Sequence, residues 1–390
     1  MMMKLMARVF SLVASVLHLL PLKRRIVLMS RQSSKPSLDF KLLAAELERN
    51  HPDVEVRMSL SEPELASKTA FLSGTIKQLG EASCAAVVVA DGYIPAVCIP
   101  SKREGASVVQ MWHALGAIKK FGYQSVGTPA GRSFASAKAA RMHENYDEVI
   151  AGSAGSIQYF SEAFGYELED IRHLGLPRID YLVDDSPQSA RRKAMARIRG
   201  EHSVFDNGKP TILYAPTLRK GAGYDGWLGK AVEELASRCD PARFNFVVAA
   251  HPLNNHIDDK VLARLGHVTL VHGASTINLL GLADGVITDY SAIALEAGIL
   301  GKPVFFYVPD IDVYRLSPGL NMDPVALFSA VSSADAAVLM EALARHVDDA
   351  GNIQGDPAFE SMIKRDFAAV MDGRCSERIA AELCRLLDRN

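Results

Sequence analysis

The chain has 390 residues, more than one ordinary hydrophobic core accommodates, so two domains are the starting expectation. Hydrophobic residues at 48% and charged residues at 23% suit a globular protein, and a formal charge of −2 provides no overall field to attract nucleic acid. Five scattered cysteines without a CxxC pair argue against a disulfide framework or a zinc site and suit a reducing compartment, and the eleven histidines show no HExxH spacing.

Residues 1–50 carry nine Lys or Arg against three Asp or Glu. Within them VFSLVASVLHLL (9–20) is flanked by Lys4 and Arg8 on one side and by Lys23, Arg24 and Arg25 on the other. This apolar stretch falls short of the roughly 20 residues that span a bilayer. A basic start before an apolar stretch also fits a signal peptide, but no AxA-like site follows, and the chain runs straight into PLKRRIVLMS. Residues 1–22 therefore read as a membrane-associating helix lying in the interface, its cations toward anionic lipid. A helix buried in the protein is the other reading.

Short continuous apolar runs then alternate with helical patterns. RIVLMS (25–30), AAVVVA (85–90), SVVQMW (107–112) and DEVIAGS (147–153) read as buried parallel strands, with helices at 39–50 and 70–82. After SVVQMW the chain places Trp112 beside His113 and runs through ALGAIKKFG, which the pattern makes a basic helix. LGLPRIDYLVDD (174–185) closes the first domain, 23–185, and the charged stretch 186–210 reads as a linker. The second domain, 211–390, repeats the style in TILYAP (211–216), FNFVVAAHP (244–252), VTLVHG (268–273), GVITDYS (285–291) and PVFFYVPD (303–310), with helices at 225–239 and 291–300 and an alanine-rich helical close from about 334. Strands alternating with helices imply parallel sheets covered on both faces: an α/β protein of two Rossmann-like domains facing a cleft, with ligands at the carboxyl ends of the strands.

The chemical candidates sit at such ends. In ITDYSAIALEAGILGKP (287–303), Thr288, Asp289 and Ser291 are N-cap residue types before a helix whose N-terminus suits a phosphate, and Glu296 is placed to reach a ribose hydroxyl. An ordinary capped helix with a solvated glutamate fits the same pattern. In LYAPTLRKG (213–221), Thr217, Arg219 and Lys220 suit a diphosphate, or are solvated surface groups. His251 follows the apolar FVVAA, and His113 has the same placement in the first domain. They read either as an acid/base or phosphate-polarising pair or as core histidines satisfied by backbone carbonyls. No DxD stands beside these elements, so the expected chemistry is metal-independent, carried by His, Arg and helix dipoles.

The blocks VVQMWHALGAIKKFG (108–122), GLPRIDYL (175–182), ILYAPTLRKG (212–221), AAHP (249–252) and VITDYSAIALEAGILGKPVFFYVPDIDVYR (286–315) resemble, in one colinear order, the CDP-glycerol glycerophosphotransferase family of teichoic-acid synthesis. The resemblance implies a GT-B fold with the donor nucleotide held mainly by the C-terminal domain. It implies transfer of glycerol phosphate from the substrate CDP-glycerol to a lipid-linked acceptor with release of CMP, and no further cofactor. It makes His113 the catalytic base, His251 a second essential histidine, and Arg219, Thr288 and Ser291 donor-phosphate positions, with Thr217 beside them. Glu296 stands where members often carry aspartate, near the ribose. Trp112, Lys119 and Lys120 fall on the acceptor side. WHALGAIKKFG departs from the WHGTPLK of chain-extending members and looks like the primase branch, which acts on an undecaprenyl-diphosphate-linked disaccharide at the inner face of the cytoplasmic membrane. That implies a cytoplasmic protein peripheral on the membrane. The rivals are a ribitol-phosphate transferase or glycerol-phosphate polymerase of the same family, a GT-B sugar-nucleotide epimerase, and a non-enzymatic lectin-like module.

Overall fold

The computed structural model describes residues 2–62, 68–219, 224–249 and 257–389. The apolar runs of the first half form strands Lys23–Ser30 (β1), Ala85–Ala90 (β3), Ser107–Gln110 (β4) and Glu148–Ala151 (β5). Two strands that the pattern does not announce, Glu55–Leu60 (β2) and Ile171–His173 (β6), complete a parallel sheet of order β2-β1-β3-β4-β5-β6. β3 is buried along its whole length, so AAVVVA shows no alternation, whereas the edge strand β2 largely faces solvent. The order reverses between β1 and β3, which makes the carboxyl ends of those strands the natural ligand position of this sheet.

The second half builds Thr211–Tyr214 (β7), Asn245–Ala249 (β8), Val268–Val271 (β9), Gly285–Thr288 (β10), Val304–Tyr307 (β11) and Ser332–Ser333 (β12). They form a second parallel sheet, β12-β11-β10-β7-β8-β9, whose order reverses between β7 and β10. Each sheet is thus doubly wound and Rossmann-like, and the chain has the GT-B type of architecture expected from sequence.

The division into units differs from the linear one. Unit 1 comprises residues 1–180, 317–319 and 369–390; unit 2 comprises 181–316 and 320–368. The stretch expected as a linker contains the helix Ala190–Glu201, packed on the helix Thr276–Leu282 within unit 2. The C-terminal helix Cys375–Arg389, expected in the second domain, returns to unit 1. Its Ile379, Leu383 and Leu387 share one buried face, which packs on the helix Leu38–Asn50. The Asp180 carboxylate caps its first turn by accepting from the Cys375 and Ser376 N–H groups at 2.7 Å each. An amphipathic period tells that a helix has an apolar face, not which sheet receives it.

The N-terminal helix Met2–Leu17 has two apolar faces. Phe10 and Ala14 are buried, and Val13 and Leu17 pack against the unit 1 core. Val9, Leu12 and Val16, with Leu19 and Leu20 beyond the helix, remain exposed. The buried-helix reading therefore holds for one face, and the other is free. No helix among the described residues is long and apolar enough to cross a membrane.

The basic helix expected after Trp112 is absent: residues 111–121 run as an irregular loop into a short 3-10 turn, Gly122–Ser125. Two close approaches impose this path. A Cβ on Gly122, whose φ is +54°, would meet the Ala163 carbonyl oxygen at 2.1 Å. A Cβ on Gly152, just past β5, would meet the Leu115 oxygen at 2.7 Å.

Candidate active site

In unit 1 the candidate residues extend from the end of β4. Met111 continues the ladder by donating its N–H to the Ala90 oxygen at 2.8 Å. Trp112 then takes a left-handed φ of +60°, rare for a bulky residue, so other contacts must hold it there. The buried Gln110 supplies one: its Oε1 accepts from the Trp112 N–H at 2.9 Å while its Nε2 donates to the Gly92 oxygen at 2.9 Å. The Trp112 ring supplies another, stacking on Phe121 at 4.5 Å and meeting Phe164 edge-on at 5.4 Å. Trp112 is thus a packing residue, tilted against the His113 ring at 4.2 Å.

This backbone turn aims the half-buried His113 so that Nδ1 lies 2.8 Å from the main-chain oxygen of Asp91, at the end of β3. A carbonyl oxygen only accepts, so Nδ1 carries the proton and Nε2 keeps its lone pair. Burial lowers the pKa of His113, helped by the charges of Arg178 and Lys119 and opposed by the Asp91 carbonyl and Asp39. At neutral pH the ring is therefore neutral, with Nε2 ready to accept a proton. Arg178 fixes the backbone beneath it: its N–H and Nε–H donate to Asp39 at 2.8 and 2.9 Å, and Nη2 donates to the Asp39 carboxylate and, at 3.1 Å, to the His113 oxygen. Lys119 is half-buried with its charge felt at His113, whereas Lys120 is exposed and is held through its backbone N–H to Gly319 at 2.9 Å.

Unit 2 assembles its candidates where β7 and β10 part. The ladder runs from Tyr214 opposite Ile287 to the Ala215 N–H on the Ile287 oxygen at 2.9 Å. Thr288, fully buried, donates its hydroxyl to the Ala215 oxygen at 2.7 Å, so it stitches the two strand ends together and does not cap a helix. Asp289 likewise turns to the β7 loop: it accepts from the Thr217 N–H at 3.0 Å, the Thr217 hydroxyl at 2.6 Å and the Arg219 guanidinium. Arg219 also donates to Asp310, past β11, at 3.0 and 3.2 Å and to the Thr217 oxygen at 2.9 Å. The Arg219 guanidinium lies 4.2 Å from the Trp227 ring centroid and 5.6 and 5.1 Å from those of Tyr290 and Tyr314, which stack on each other at 4.0 Å. Burial works against its charge, but Asp289 and Asp310 more than offset this, so its pKa is raised.

Of the donor-side candidates, then, Arg219, Thr217 and Thr288 are joined to protein partners. Ser291 is half-buried, accepting only weakly from the Ile293 N–H at 3.4 Å, where the chain enters the helix Ile293–Ile299. Glu296 is buried within that helix. His251 and Lys220 lie outside the described residues. Sequence reasoning missed Asp91, Gln110, Asp39 and Arg178 as site residues, and read Asp310 only as the start of a loop. A carboxylate closing the wholly apolar run AAVVVAD was a usable signal for Asp91; nothing in the linear pattern joins Asp39 to Arg178.

Two doubly wound units with strand-end site residues define a GT-B-type α/β protein, a class that includes transferases and epimerases. The family model described as CDP-Glycerol:Poly(glycerophosphate) glycerophosphotransferase matches residues 12–385, and the chain belongs to that family. The teichoic acid ribitol-phosphate primase of Bacillus spizizenii (strain ATCC 23059 / NRRL B-14472 / W23) is 27% identical over 376 residues, covering 93% of this chain and 91% of the relative. The teichoic acid glycerol-phosphate primase of Bacillus subtilis (strain 168) is 27% identical over 234 residues, covering 60% and 58%. A structure of the wall teichoic acid polymerase TagF aligns with a TM-score of 0.69 at 19% identity, covering 97% of this chain and 94% of that one. A UDP-GlcNAc 2-epimerase from Neisseria meningitidis aligns at 0.61 with 16% identity, covering 93% and 100%. These structural likenesses speak to the shared fold; the family match separates the chain from the epimerases.

Proposed function

We propose that the chain transfers glycerol phosphate from CDP-glycerol to a hydroxyl of an undecaprenyl-diphosphate-linked disaccharide, in the manner of a teichoic-acid primase, and releases CMP. The observation that carries this reading is the fixed tautomer of His113: a neutral imidazole with Nδ1–H held by Asp91 and Nε2 free to act as base. In the reaction the acceptor oxygen forms a bond to the phosphorus that bears glycerol, and the bridging P–O bond breaks with its electron pair leaving on CMP. The acceptor proton passes to His113 Nε2. General-base help of this kind contributes about 10²- to 10⁴-fold.

For the donor we assign the turn Thr288–Ser291 to the diphosphate and Glu296 to the ribose, with Thr217, Arg219 and Asp289 as the rigid base under that turn. Charge building on the leaving phosphate falls to the protein, with His251 as the second histidine and no metal in the scheme. Trp112 holds the His113 loop, and Lys119 with Lys120 attracts the acceptor's diphosphate. The free apolar face of the N-terminal helix, beside the exposed Lys23 and Arg24, supports peripheral attachment to an anionic membrane carrying the lipid-linked acceptor.

A second reading, ribitol phosphate from CDP-ribitol, is favoured by the near end-to-end match to a ribitol-phosphate primase. Purified enzyme, a lipid-linked disaccharide analogue and each CDP-polyol in turn test both, with product mass reporting the polyol and the number of units added. One glycerol phosphate is the expected product, and no product from CDP-glycerol overturns the donor assignment. Turnover in the presence of EDTA is expected to be unchanged. His113→Ala is expected to abolish acceptor-dependent CMP release; wild-type turnover in that variant refutes the base assignment.

A further inference from the structure

Asp91 closes β3, beside the point where the unit 1 strand order reverses. It is 2% exposed, and no cation is hydrogen-bonded to its carboxylate among the described residues; the Ser30 hydroxyl is the side-chain group that reaches it. Buried carboxylates are nearly always paired, because desolvating an isolated charge is costly. Its backbone carbonyl is the group that accepts from His113 Nδ1. The ionic groups facing this pair are Asp39, from the first turn of the helix Leu38–Asn50, Arg178, from the helix Pro177–Val183, and Lys119, from the His113 loop; the Ser30 hydroxyl reaches in from β1. Arg178 is already clamped on Asp39. Around His113, then, stand two carboxylates, Asp39 and Asp91, and two cations, Arg178 and Lys119, with Arg178 committed to Asp39. When Nε2 takes a proton, the Asp91 carboxylate faces a positive charge on the ring whose Nδ1–H its own backbone carbonyl accepts.

We propose that Asp91 is a positioning residue for His113, its carboxylate stabilising the imidazolium that forms as the acceptor hydroxyl gives up its proton. The proposal rests on the reading of His113 as the base. The proton leaves the acceptor oxygen as that oxygen bonds to phosphorus, resides on Nε2, and is lost to solvent after CMP departs; Asp91 itself exchanges none. Burial pushes the Asp91 carboxyl up to about 6, with Ser30 opposing and Asp39 adding to the shift. The carboxylate is therefore mostly charged at pH 7 and loses its charge as pH falls through 6.

Asp91→Asn tests this, because the amide keeps the shape and the backbone carbonyl while removing the charge. At an effective dielectric of about 20, losing one unit charge from a pair separated by roughly 6–12 Å corresponds to about 10- to 100-fold. The expected result is a kcat lower by about 10- to 100-fold, an acceptor KM within about threefold of wild type, and loss of the acid limb near pH 6. Nuclear magnetic resonance titration of the His113 ring, assigned with His113→Gln, is expected to show its pKa falling by about one unit or more in the variant. A lower kcat with an unchanged His113 titration marks a merely structural role and overturns the proposal. Should the variant fail to fold, wild-type protein suffices: the His113 ring signal must show an inflection near pH 6 as Asp91 titrates, and a featureless response overturns the coupling. Coupling in the titration together with full turnover by His113→Ala would instead show that the base assignment, and the catalytic half of this proposal with it, is wrong.

Discussion

Arg219→Met probes whether the most buried cation of unit 2 serves structure or substrate. Methionine keeps the apolar bulk against Trp227 and Tyr314 but removes the charge and its donors. The Arg219 side chain is 0% exposed, and its partners Asp289 and Asp310 are 1% and 13% exposed. Breaking a buried ionic network by deleting one partner leaves carboxylates uncompensated in low dielectric, at a cost of about 3–5 kcal/mol. In a unit of about 185 residues, each kcal/mol lowers Tm by about 2–4 °C, so the expected fall is about 6–20 °C. Adding Asp289→Asn to the Met variant removes one orphaned charge and should restore about 1–2 kcal/mol, a coupling that a double-mutant cycle isolates. Thermal unfolding by circular dichroism gives the stability, and calorimetric titration with CDP-glycerol gives donor affinity. A variant that melts within about 2 °C of wild type yet has lost donor binding would refute this account, since the guanidinium would then be a donor ligand.

Two further outcomes are expected. Glu148, at the start of β5, sits against Glu382 of the C-terminal helix, and burial together with that like charge raises its pKa, while the Arg385 hydrogen bond lowers that of Glu382. A raised carboxyl stabilises the fold below its ordinary value of 4.5 and loses that contribution as pH rises through the folded value. Glu148→Gln should therefore gain stability relative to wild type between about pH 5 and 8, by about 1 kcal/mol after allowance for solvent screening, read as the difference in urea midpoints; a pH-independent difference contradicts it. On the N-terminal helix, Leu12 and Val16 are 69% and 60% exposed. Replacing both by Glu should cost about 2–4 kcal/mol of apolar insertion, a roughly 30- to 1000-fold weaker cosedimentation with anionic vesicles, without lowering Tm; equal sedimentation rules out that face as the membrane contact.

The strand runs were legible because a strand covered on both faces is apolar throughout, as AAVVVA is. β2 and β6 were not, because an edge strand needs little apolar character. The loop after Trp112 escaped because its course depends on clearance from Ala163 and Leu115, partners distant in sequence. Thr217, Arg219 and Thr288 were singled out correctly as strand-end residues, but their hydrogen-bonding capacity is directed at one another and at Asp289, Asp310 and Ala215. Residue type reveals that a group can bind an anion; it does not reveal whether a carboxylate 70 or 91 positions away has already claimed it.

By itself, the order of residues determined the alternation of strands and helices, hence two parallel sheets, and the family through colinear motifs such as WHALGAIKKFG and VITDYSAIALEAGILGKP. These are local properties, written in period and adjacency. Only the tertiary structure decided which nitrogen of His113 bears its proton, that Asp39 and Arg178 hold its backbone, that the Asp91 carboxylate lies buried behind it, and that the last helix returns to the first unit. Each of these depends on groups brought together by strand order from far apart in the chain, and desolvation at those meeting points sets their charge. Neither contact nor burial is a property of the linear sequence.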